Sequence, residues 1–494
     1  MTRAATESTS TRRRVALALA VSALVATLAA CGQLESAAPE VDAVVETAAL
    51  TGGERYLVVA QQGARPAQVA RAIAAAGGEV ARALPDVGIY AVVSSDRRFL
   101  QSVRRERVIS EADHMPFMGV PEVVLGATVP APDGLAAPQL VPDPPAAFFD
   151  ELWGIARVHA PAAWERGYTG SHDTVVAVID TGIASNHPDV GPNLVYDACF
   201  VTDGDHTTGD CIPYPSYSFH GTHVAGTVAA NFGFGVVGVG PNLGLANYNV
   251  FELFEVEPGV FALLASFESV FAAMLDAAAQ GFEVINMSLG ALVTFGPEQD
   301  NREVAALRTA TKRVTDRVLR AGTVIVASAG NAATDLTGPA LNLPGGTPGI
   351  INVGATGIRP DPVYPQPGSY DVLAFYSNLG APVDIAAPGG DCGLDDSCDP
   401  ATRPPNWFEY LILSAFVDPA PACAVTESCP VGWAFAAGTS MAAPHVAGAA
   451  GLLRDAEPRL NPRQVDARLR QTAEDIGHRL TFGHGMVDAD AAIR

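Results

Sequence analysis

The chain has 494 residues, long enough for more than one domain, and its 48% hydrophobic and 17% charged residues are typical of a globular protein. The formal net charge of −23 argues against a nucleic-acid partner, because phosphate binding requires basic surface patches. Inside the chain, no apolar stretch is long enough to span a membrane.

The N-terminus carries the features of an export signal. An arginine triplet at 12–14 precedes an apolar run at 15–30, so we expect residues 1–30 to be a signal peptide and the protein to be extracytoplasmic. The small residues before Cys31 resemble the bacterial lipobox, which implies a lipid on Cys31 that anchors the precursor to the membrane. An ordinary signal peptide followed by an incidental cysteine is the alternative. Residues 31–51 are predicted to be a tether.

Residues 52–147 divide into a small α+β unit and a linker. Predicted strands and helices follow one another in the order βαββαβ, over 56–60, 68–76, 79–84, 89–93, 97–103 and 107–110. The unit is therefore expected to be a ferredoxin-like domain at 52–114. Residues 115–147 are dense in Pro, Ala and Gly and predict a linker without regular structure, a natural place for a processing cut.

Residues 148–494 predict a larger α/β domain. Apolar runs typical of buried parallel strands occur at 175–179, 245–251, 284–287, 323–327, 350–353 and 383–386. Helices are predicted between several of them, including 260–280 and 301–320. This alternation predicts a doubly wound parallel sheet with its chemistry at the carboxyl ends of the strands.

Four polar residues stand where such a sheet would bring them together. Asp180 ends the first apolar run, and Asn331 follows the run at 323–327. His220 and Ser440 each precede a helix of small residues, and the amino end of a helix favours negative charge near a nucleophilic oxygen. Pro444 predicts that Ser440 lies at the start of its helix. Each residue alone could be a turn or cap residue, but a serine, a base and an orienting acid together predict nucleophilic catalysis.

The motifs around these residues resemble those of the subtilisin-like serine proteases (subtilases), in the family's order, from about residue 153 to the C-terminus. They are Asp180-Thr181-Gly182, His220-Gly221-Thr222-His223, Ser328-Ala329-Gly330-Asn331 and Gly438-Thr439-Ser440. The resemblance implies a subtilisin-like fold and endopeptidase activity on polypeptides. It implies Ser440 as nucleophile, His220 as general base and Asp180 as the orienting carboxylate. Asn331 and the backbone N–H of Ser440 would form the oxyanion hole.

The same resemblance implies that residues 52–114 are a propeptide, which in the family assists folding and then inhibits the enzyme in its cleft. The chain would then be a self-processing zymogen. A generic binding domain is the alternative for this region. For the whole chain, the alternative is a catalytically silent, surface-binding lipoprotein on the same fold, but the intact set of four site residues argues against it.

Two short stretches resemble the family's substrate-binding surface. An extended peptide would pair with Ser288-Leu289-Gly290 as an added strand. The wall formed by Ala327-Ser328-Ala329 is apolar and roomy, which implies a preference for large uncharged side chains before the scissile bond.

Catalysis in the family requires no cofactor, although structural calcium is possible. The aspartate that corresponds to Asp189 ligates calcium in the family, but the companion loop here, at 231–236, lacks the usual asparagine ligands. The metal therefore stays undetermined, with Asp189 as the candidate ligand.

The seven cysteines predict an oxidising compartment. If Cys31 carries lipid, six remain, all in loop-like sequence, and they could pair in fifteen ways. Their spacing into three close pairs predicts the disulfides Cys199–Cys211, Cys392–Cys398 and Cys423–Cys429. A zinc site is the other interpretation, but no Cys-x-x-Cys spacing occurs.

Overall fold

The computed structural model describes residues 54–130, 147–202, 204–206, 214–215, 217–257, 259–294, 301–358, 371–392, 398–399, 403, 407–419 and 428–494. In these ranges no helix is both long and apolar enough to cross a membrane. The predicted signal peptide, the tether with Cys31 and residues 131–146 of the predicted linker lie outside the described residues.

A four-stranded antiparallel sheet and two helices form the small N-terminal domain. Its elements are β1 (Glu54–Ala60), α1 (Pro66–Ala75), β2 (Glu79–Leu84), β3 (Ile89–Ser94), α2 (Phe99–Val103) and β4 (Ile109–His114). The strands lie in the order β2-β3-β1-β4, and the predicted βαββαβ sequence of elements is confirmed. Tyr56, Ile73 and Phe99 are buried in the domain's own core. Leu57 and Val59 face the other way and join the core of the large domain.

The remaining elements belong to the large domain. Its strands are β5 (Phe117–Gly119), β6 (Val124–Pro130), β7 (Val175–Asp180), β8 (Leu194–Val201), β9 (Gly204–His206), β10 (Gly244–Asn249), β11 (Phe251–Glu257), β12 (Val260–Ser266), β13 (Val284–Met287), β14 (Ala291–Thr294), β15 (Val324–Ser328), β16 (Ala340–Leu343), β17 (Ile351–Ile358), β18 (Asp371–Leu373), β19 (Ile385–Pro388), β20 (Ile412–Val417) and β21 (Val431–Ala437). Its helices are α3 (Trp153–Arg157), α4 (Ala160–Glu165), α5 (His220–Ala229), α6 (Phe267–Gln280), α7 (Asn301–Ala321), α8 (Thr439–Ala456), α9 (Pro462–Thr472), α10 (Arg479–Phe482) and α11 (Ala489–Ala492).

The central sheet has the order β18-β17-β15-β13-β7-β10-β8-β9, and β19 also pairs with β17. The strands between β17 and β8 pair in parallel, whereas β9 and β18 are antiparallel at the edges. Alternate residues of β7 enter different cores. Val178 packs in the core that contains residues of α5 and α8, and Ile179 packs in the core that contains residues of α6 and α7. Helices on both faces confirm the predicted doubly wound parallel sheet.

The structure differs from the predicted linker at 115–147. Its described first half contains β5 and β6, and each pairs antiparallel with a distant strand: β5 with β12, and β6 with β21. Local composition could not indicate these strands, because their partners lie more than a hundred residues further along the chain.

The predicted helix at 260–280 is wrong in its first third. Residues 260–266 form β12, which pairs with β11 on one side and with β5 on the other. The helix α6 starts only at Phe267, where the side chain of Ser266 accepts a hydrogen bond from the Ser269 backbone N–H as an N-cap. Pairing with the preceding strand β11 and with the distant strand β5 therefore overrides the helical character of this stretch.

A buried charge cluster fixes the small domain on the large one. The Arg55 guanidinium donates to the Glu268 carboxylate at 2.7 Å, and an Arg82 guanidinium nitrogen lies 3.8 Å from the same oxygen. Both arginines belong to the small domain, whereas Glu268 is in the first turn of α6 and is 1% exposed. Breaking such a pair on one side leaves buried charge without compensation.

We predict that Glu268→Ala destabilises the intact chain by about 3–5 kcal/mol, because it removes the carboxylate that faces the buried Arg82 and the partly buried Arg55 guanidinium groups. The matched control is Lys312→Ala, which removes an exposed ion pair with Asp316 and should cost at most about 1 kcal/mol. Urea denaturation in a Ser440→Ala background, which lacks the candidate nucleophile, measures both. Equal losses in the two variants would contradict the role assigned to Glu268.

Candidate active site

The predicted site residues converge at the carboxyl edge of the central sheet. Asp180 is the last residue of β7, Ser288 follows β13 directly, and Asn331 follows β15 after two residues. His220 is the first residue of α5, and Ser440 is the second residue of α8. Parallel pairing of β7, β13 and β15 brings these strand ends to one side of the sheet.

Asp180 and His220 form a buried hydrogen bond of 2.7 Å between Oδ1 and Nδ1, and each residue is only 1% exposed. A carboxylate only accepts hydrogen bonds, so the proton of the neutral imidazole sits on Nδ1 and Nε2 is free to accept. His220 Nε2 has no hydrogen-bond partner among the described residues. Gly221 permits the close approach, because a Cβ there would lie 2.4 Å from the Gly182 carbonyl oxygen.

His223, the second histidine of the motif, supports the site from behind. Its Nε2 lies 3.0 Å from the Ala434 carbonyl oxygen, and it is fully buried. Burial lowers the pKa of His223 to about 3, so the ring stays neutral and adds no charge beside His220.

Ser440 is tied to Ser288 by two reciprocal contacts. Pro444 has no N–H to donate to the carbonyl of Ser440 four residues earlier, and the Ser288 hydroxyl donates to that carbonyl at 2.8 Å instead. The Ser440 hydroxyl in turn donates to the Ser288 carbonyl oxygen at 3.2 Å. Ser440 and His220 therefore lie at the same edge without a hydrogen bond between them, and the serine hydroxyl must turn from Ser288 to reach Nε2.

Asn331 presents an oriented amide. Its Oδ1 accepts hydrogen bonds from both the backbone N–H and the hydroxyl of Thr439, at 2.9 and 2.7 Å. That arrangement leaves Nδ2 to donate to the Glu122 carbonyl oxygen at 2.8 Å. The sequence motifs predict no role for Thr439 or Glu122. Thr439 could have been found from its place in the Gly-Thr-Ser motif, whereas nothing in the local sequence marks Glu122.

The two predicted substrate-binding stretches flank Ser440, and they keep that role as a prediction. Gly290 packs so closely that a Cβ would lie 2.9 Å from Asn342 Nδ2, and Leu289 is fully buried. In Ala327-Ser328-Ala329, the carbonyl of Ser328 accepts from Asn342 and that of Ala329 accepts from Asn378. These asparagines hold the wall in place, since they satisfy its last carbonyls.

Asp189 has the wrong surroundings for a calcium ligand. Its carboxylate accepts hydrogen bonds from the Trp433 indole N–H at 2.6 Å and from the backbone N–H groups of Gly235 and Val236. Burial raises the pKa of Asp189 to about 6, and these three donors oppose the rise. A calcium site needs oxygen ligands around the cation, but here N–H hydrogens point at the carboxylate. Among the described residues, no group of three or more His, Cys, Asp or Glu side chains is arranged to hold a metal.

One of the three predicted disulfides is confirmed, although Cys199 lies in strand β8 and not in a loop as predicted. Cys392 and Cys398 form a disulfide bond. Cys199 and Cys429 are also disulfide-bonded, but their predicted partners, Cys211 and Cys423, lie outside the described residues. The two pairings that involve them stay predictions.

Comparison with known proteins finds extensive similarity. A family model described as the subtilase family (peptidase S8) matches residues 171–485. Subtilisin amylosacchariticus from Bacillus subtilis subsp. amylosacchariticus is 32% identical over 373 residues, which cover 73% of this chain and 78% of that protein. Two solved structures share the fold. Fervidolysin from Fervidobacterium pennivorans matches with a TM-score of 0.66 at 23% identity, covering 92% of this chain and 62% of that one. The epidermin leader peptide processing serine protease from Staphylococcus aureus matches with a TM-score of 0.65 at 20% identity, covering 89% and 97%.

We predict that Trp433→Phe costs about 1–3 kcal/mol of unfolding free energy, because it removes a donor from a buried carboxylate. Trp153→Phe is the matched control: its indole donates at 2.9 Å to a neutral carbonyl, that of Leu411, and its loss should cost only about 0.5–1.5 kcal/mol. Urea denaturation of Ser440→Ala chains at neutral pH measures the cost of each tryptophan substitution. Repeating it with calcium and with a chelator tests whether Asp189 binds calcium. Stabilisation by calcium that Asp189→Asn abolishes would contradict our interpretation of Asp189.

Proposed function

Because the chain belongs to the subtilase family and is a subtilisin-like serine endopeptidase, we propose that Asp180, His220 and Ser440 are its catalytic triad. The observation that carries this proposal is the buried 2.7 Å contact between Asp180 and His220, which leaves Nε2 as an acceptor at the edge where α8 begins. Polypeptides are the substrates, and the triad needs no cofactor.

In the first step, the Ser440 hydroxyl leaves Ser288 and gives its proton to Nε2 of His220 as the oxygen attacks the substrate carbonyl carbon. Asp180 holds the ring in the required tautomer and stabilises the imidazolium that forms. His220 then donates the proton to the leaving amine. Water repeats the sequence on the acyl-enzyme and regenerates Ser440.

The developing oxyanion is stabilised by Asn331 Nδ2 together with the backbone N–H of Ser440. Thr439 is a positioning residue in this scheme, because its two donors occupy Oδ1 and so orient the amide. A preorganised hydrogen-bond donor stabilises the oxyanion most strongly where water is excluded. Ser440 is completely buried in the intact chain. The substrate backbone would pair with the edge at Ser288-Leu289-Gly290, beside the wall of Ala327-Ser328-Ala329.

The chain is made as a zymogen whose small domain, residues 52–114, is an inhibitory propeptide. Support comes from its position: it docks through Arg55 and Arg82 on Glu268, and the segment that follows it runs into the candidate site. Cutting the chain between the two domains would then leave the propeptide held only by non-covalent contacts.

We expect Ser440→Ala to abolish casein hydrolysis and labelling by a fluorophosphonate probe. Asn331→Ala should keep the label but lower kcat by about a hundredfold to a thousandfold, as is typical for loss of one oxyanion donor. Asn461→Ala, which removes the N-cap of α9, should leave kcat unchanged. A wild-type chain, freed of its small domain, that takes no label and cuts no casein would instead favour the silent surface-binding lipoprotein.

Lipid on Cys31 would hold the precursor at the membrane, and processing would release the catalytic domain. The lipid anchor lies on the propeptide side of any cut between the domains. Such a cut therefore separates the lipid from the protease domain. The mature enzyme would then be a secreted or periplasmic protease stabilised by disulfide bonds.

Cell fractionation tests this arrangement. The uncut Ser440→Ala precursor should sediment with membranes, and the wild-type catalytic domain should be recovered in the soluble extracytoplasmic fraction. Adding Cys31→Ala to the Ser440→Ala chain should release the precursor from the membrane. A mature wild-type domain that still sediments after its propeptide is gone would refute the release step.

A further inference from the structure

Residues 117–130 cross the candidate active site as one extended stretch. In chain order, β5 precedes the residues that lie at the site, β6 follows them, and residues 120–123 connect the two strands. With this stretch in place, Ser440 is fully buried and His220 is 1% exposed. The chain therefore lays its own backbone where a polypeptide substrate would have to lie.

The part before the site is held as an added strand on β12. Gly119 lies opposite Leu264, and Met118 lies opposite Ala265. Phe117 and Met118 are each 1% exposed and join the core around α6. Backbone pairing sets the position of this strand along the edge, and the burial of both side chains anchors it there.

The part after the site is held on β21, the strand that leads into α8. Val124 lies opposite Ala437 in the antiparallel pairing of β6 and β21. Val123 Cγ1 lies 3.0 Å from the point where a Cβ on Gly438 would be, and Asn331 Nδ2 lies 3.5 Å from that point. Residue 438 must therefore be small for the chain to pass next to Asn331.

Between these two strands, the carbonyl oxygen of Glu122 accepts the hydrogen bond from Asn331 Nδ2 at 2.8 Å. This is the donor that stabilises the oxyanion in the proposed mechanism, so Glu122 occupies the position of the carbonyl to be attacked. A slip by one residue would turn the side chains of both strands to the opposite face and break both registers. Neighbouring peptide bonds are therefore excluded while the strands stay paired.

From this arrangement we propose that the enzyme cuts its own chain at the peptide bond between Glu122 and Val123. The inference rests on the proposed endopeptidase function and adds to it the bond at which the two domains are separated. The reaction is intramolecular, because the bond and the nucleophile belong to the same chain. The two anchored strands hold the bond at the nucleophile, which removes much of the entropic cost of bringing them together.

The reaction balances as an ordinary peptide hydrolysis. Ser440 Oγ bonds to the Glu122 carbonyl carbon and its proton passes to His220. The bond from that carbon to the Val123 nitrogen breaks, and His220 returns the proton to the nitrogen as an amine. Water then adds to the Ser440 ester, and one of its protons passes by way of His220 to Ser440 Oγ as the ester bond breaks. The new C-terminus at Glu122 is an α-carboxylic acid, which loses its proton to solvent.

The test is Val123→Pro. The proline ring places a carbon on the nitrogen that His220 must protonate, so cleavage should slow by about a hundredfold or more. Proline favours an extended residue before it, which suits the stretch on either side of this bond. Leu135→Pro, in the predicted linker, is the matched control and should be processed at the wild-type rate. Equal denaturation midpoints of Ser440→Ala with and without Val123→Pro establish that the variant folds.

Intact-mass measurement and N-terminal sequencing at the earliest time points identify the bond, and casein hydrolysis is measured on the same samples. The wild-type large fragment should begin at Val123. If the wild type hydrolyses casein but this fragment begins elsewhere, or if folded Val123→Pro is cut at the wild-type rate, the assignment of the bond is overturned and the endopeptidase function stands. A wild-type chain that neither cuts itself nor hydrolyses casein overturns both.

Discussion

The close approach of α5 and α8 to the central sheet is the constraint on which the site depends. A Cβ on Gly221 of α5 would lie 2.4 Å from the backbone oxygen of Gly182, which follows β7, and one on Gly451 of α8 would lie 3.2 Å from Val176 Cγ2 in β7. Small residues therefore let each helix begin at the carboxyl edge of the sheet. This packing brings a side chain from the first turn of each helix to the ends of β7 and β13, over distances that a hydrogen bond can span.

Such close packing buries many polar groups, and each must find a partner inside the protein. Pro444 removes one donor from α8, and Ser288 supplies the missing hydrogen bond to the Ser440 carbonyl. The Thr439 hydroxyl donates a hydrogen bond to Oδ1 of Asn331, and the Asn378 amide donates one to the Ala329 carbonyl oxygen. The interactions that satisfy the buried backbone thus also orient the groups proposed to act in catalysis. Thr439, which orients the Asn331 amide, therefore stands next to Ser440, the residue proposed to act as nucleophile.

The small domain and the segment after it are held on the large domain by two kinds of interaction. Apolar residues of β1 and the Arg55–Glu268 pair attach the small domain to α6 and α7. Strand pairing through β5 and β6 then carries the chain across the sheet edge. Hydrophobic burial supplies most of the affinity in such an interface, whereas the backbone registers fix which residue faces Asn331.

Sequence alone was enough for the features that depend on local pattern. Apolar runs predicted the parallel strands, and the motifs around Asp180, His220, Asn331 and Ser440 marked the residues that the sheet brings to one edge. Close spacing was also enough for the Cys392–Cys398 disulfide. Tertiary structure alone decided that Glu122 faces Asn331 and that the Asp189 carboxylate accepts hydrogen bonds from N–H donors. In both cases the deciding partner is far away in the chain: Asn331 for Glu122, and Trp433 for Asp189. A hydrogen bond between such residues leaves no periodicity or spacing in the local sequence, because only the packing of the sheet and its helices brings them together.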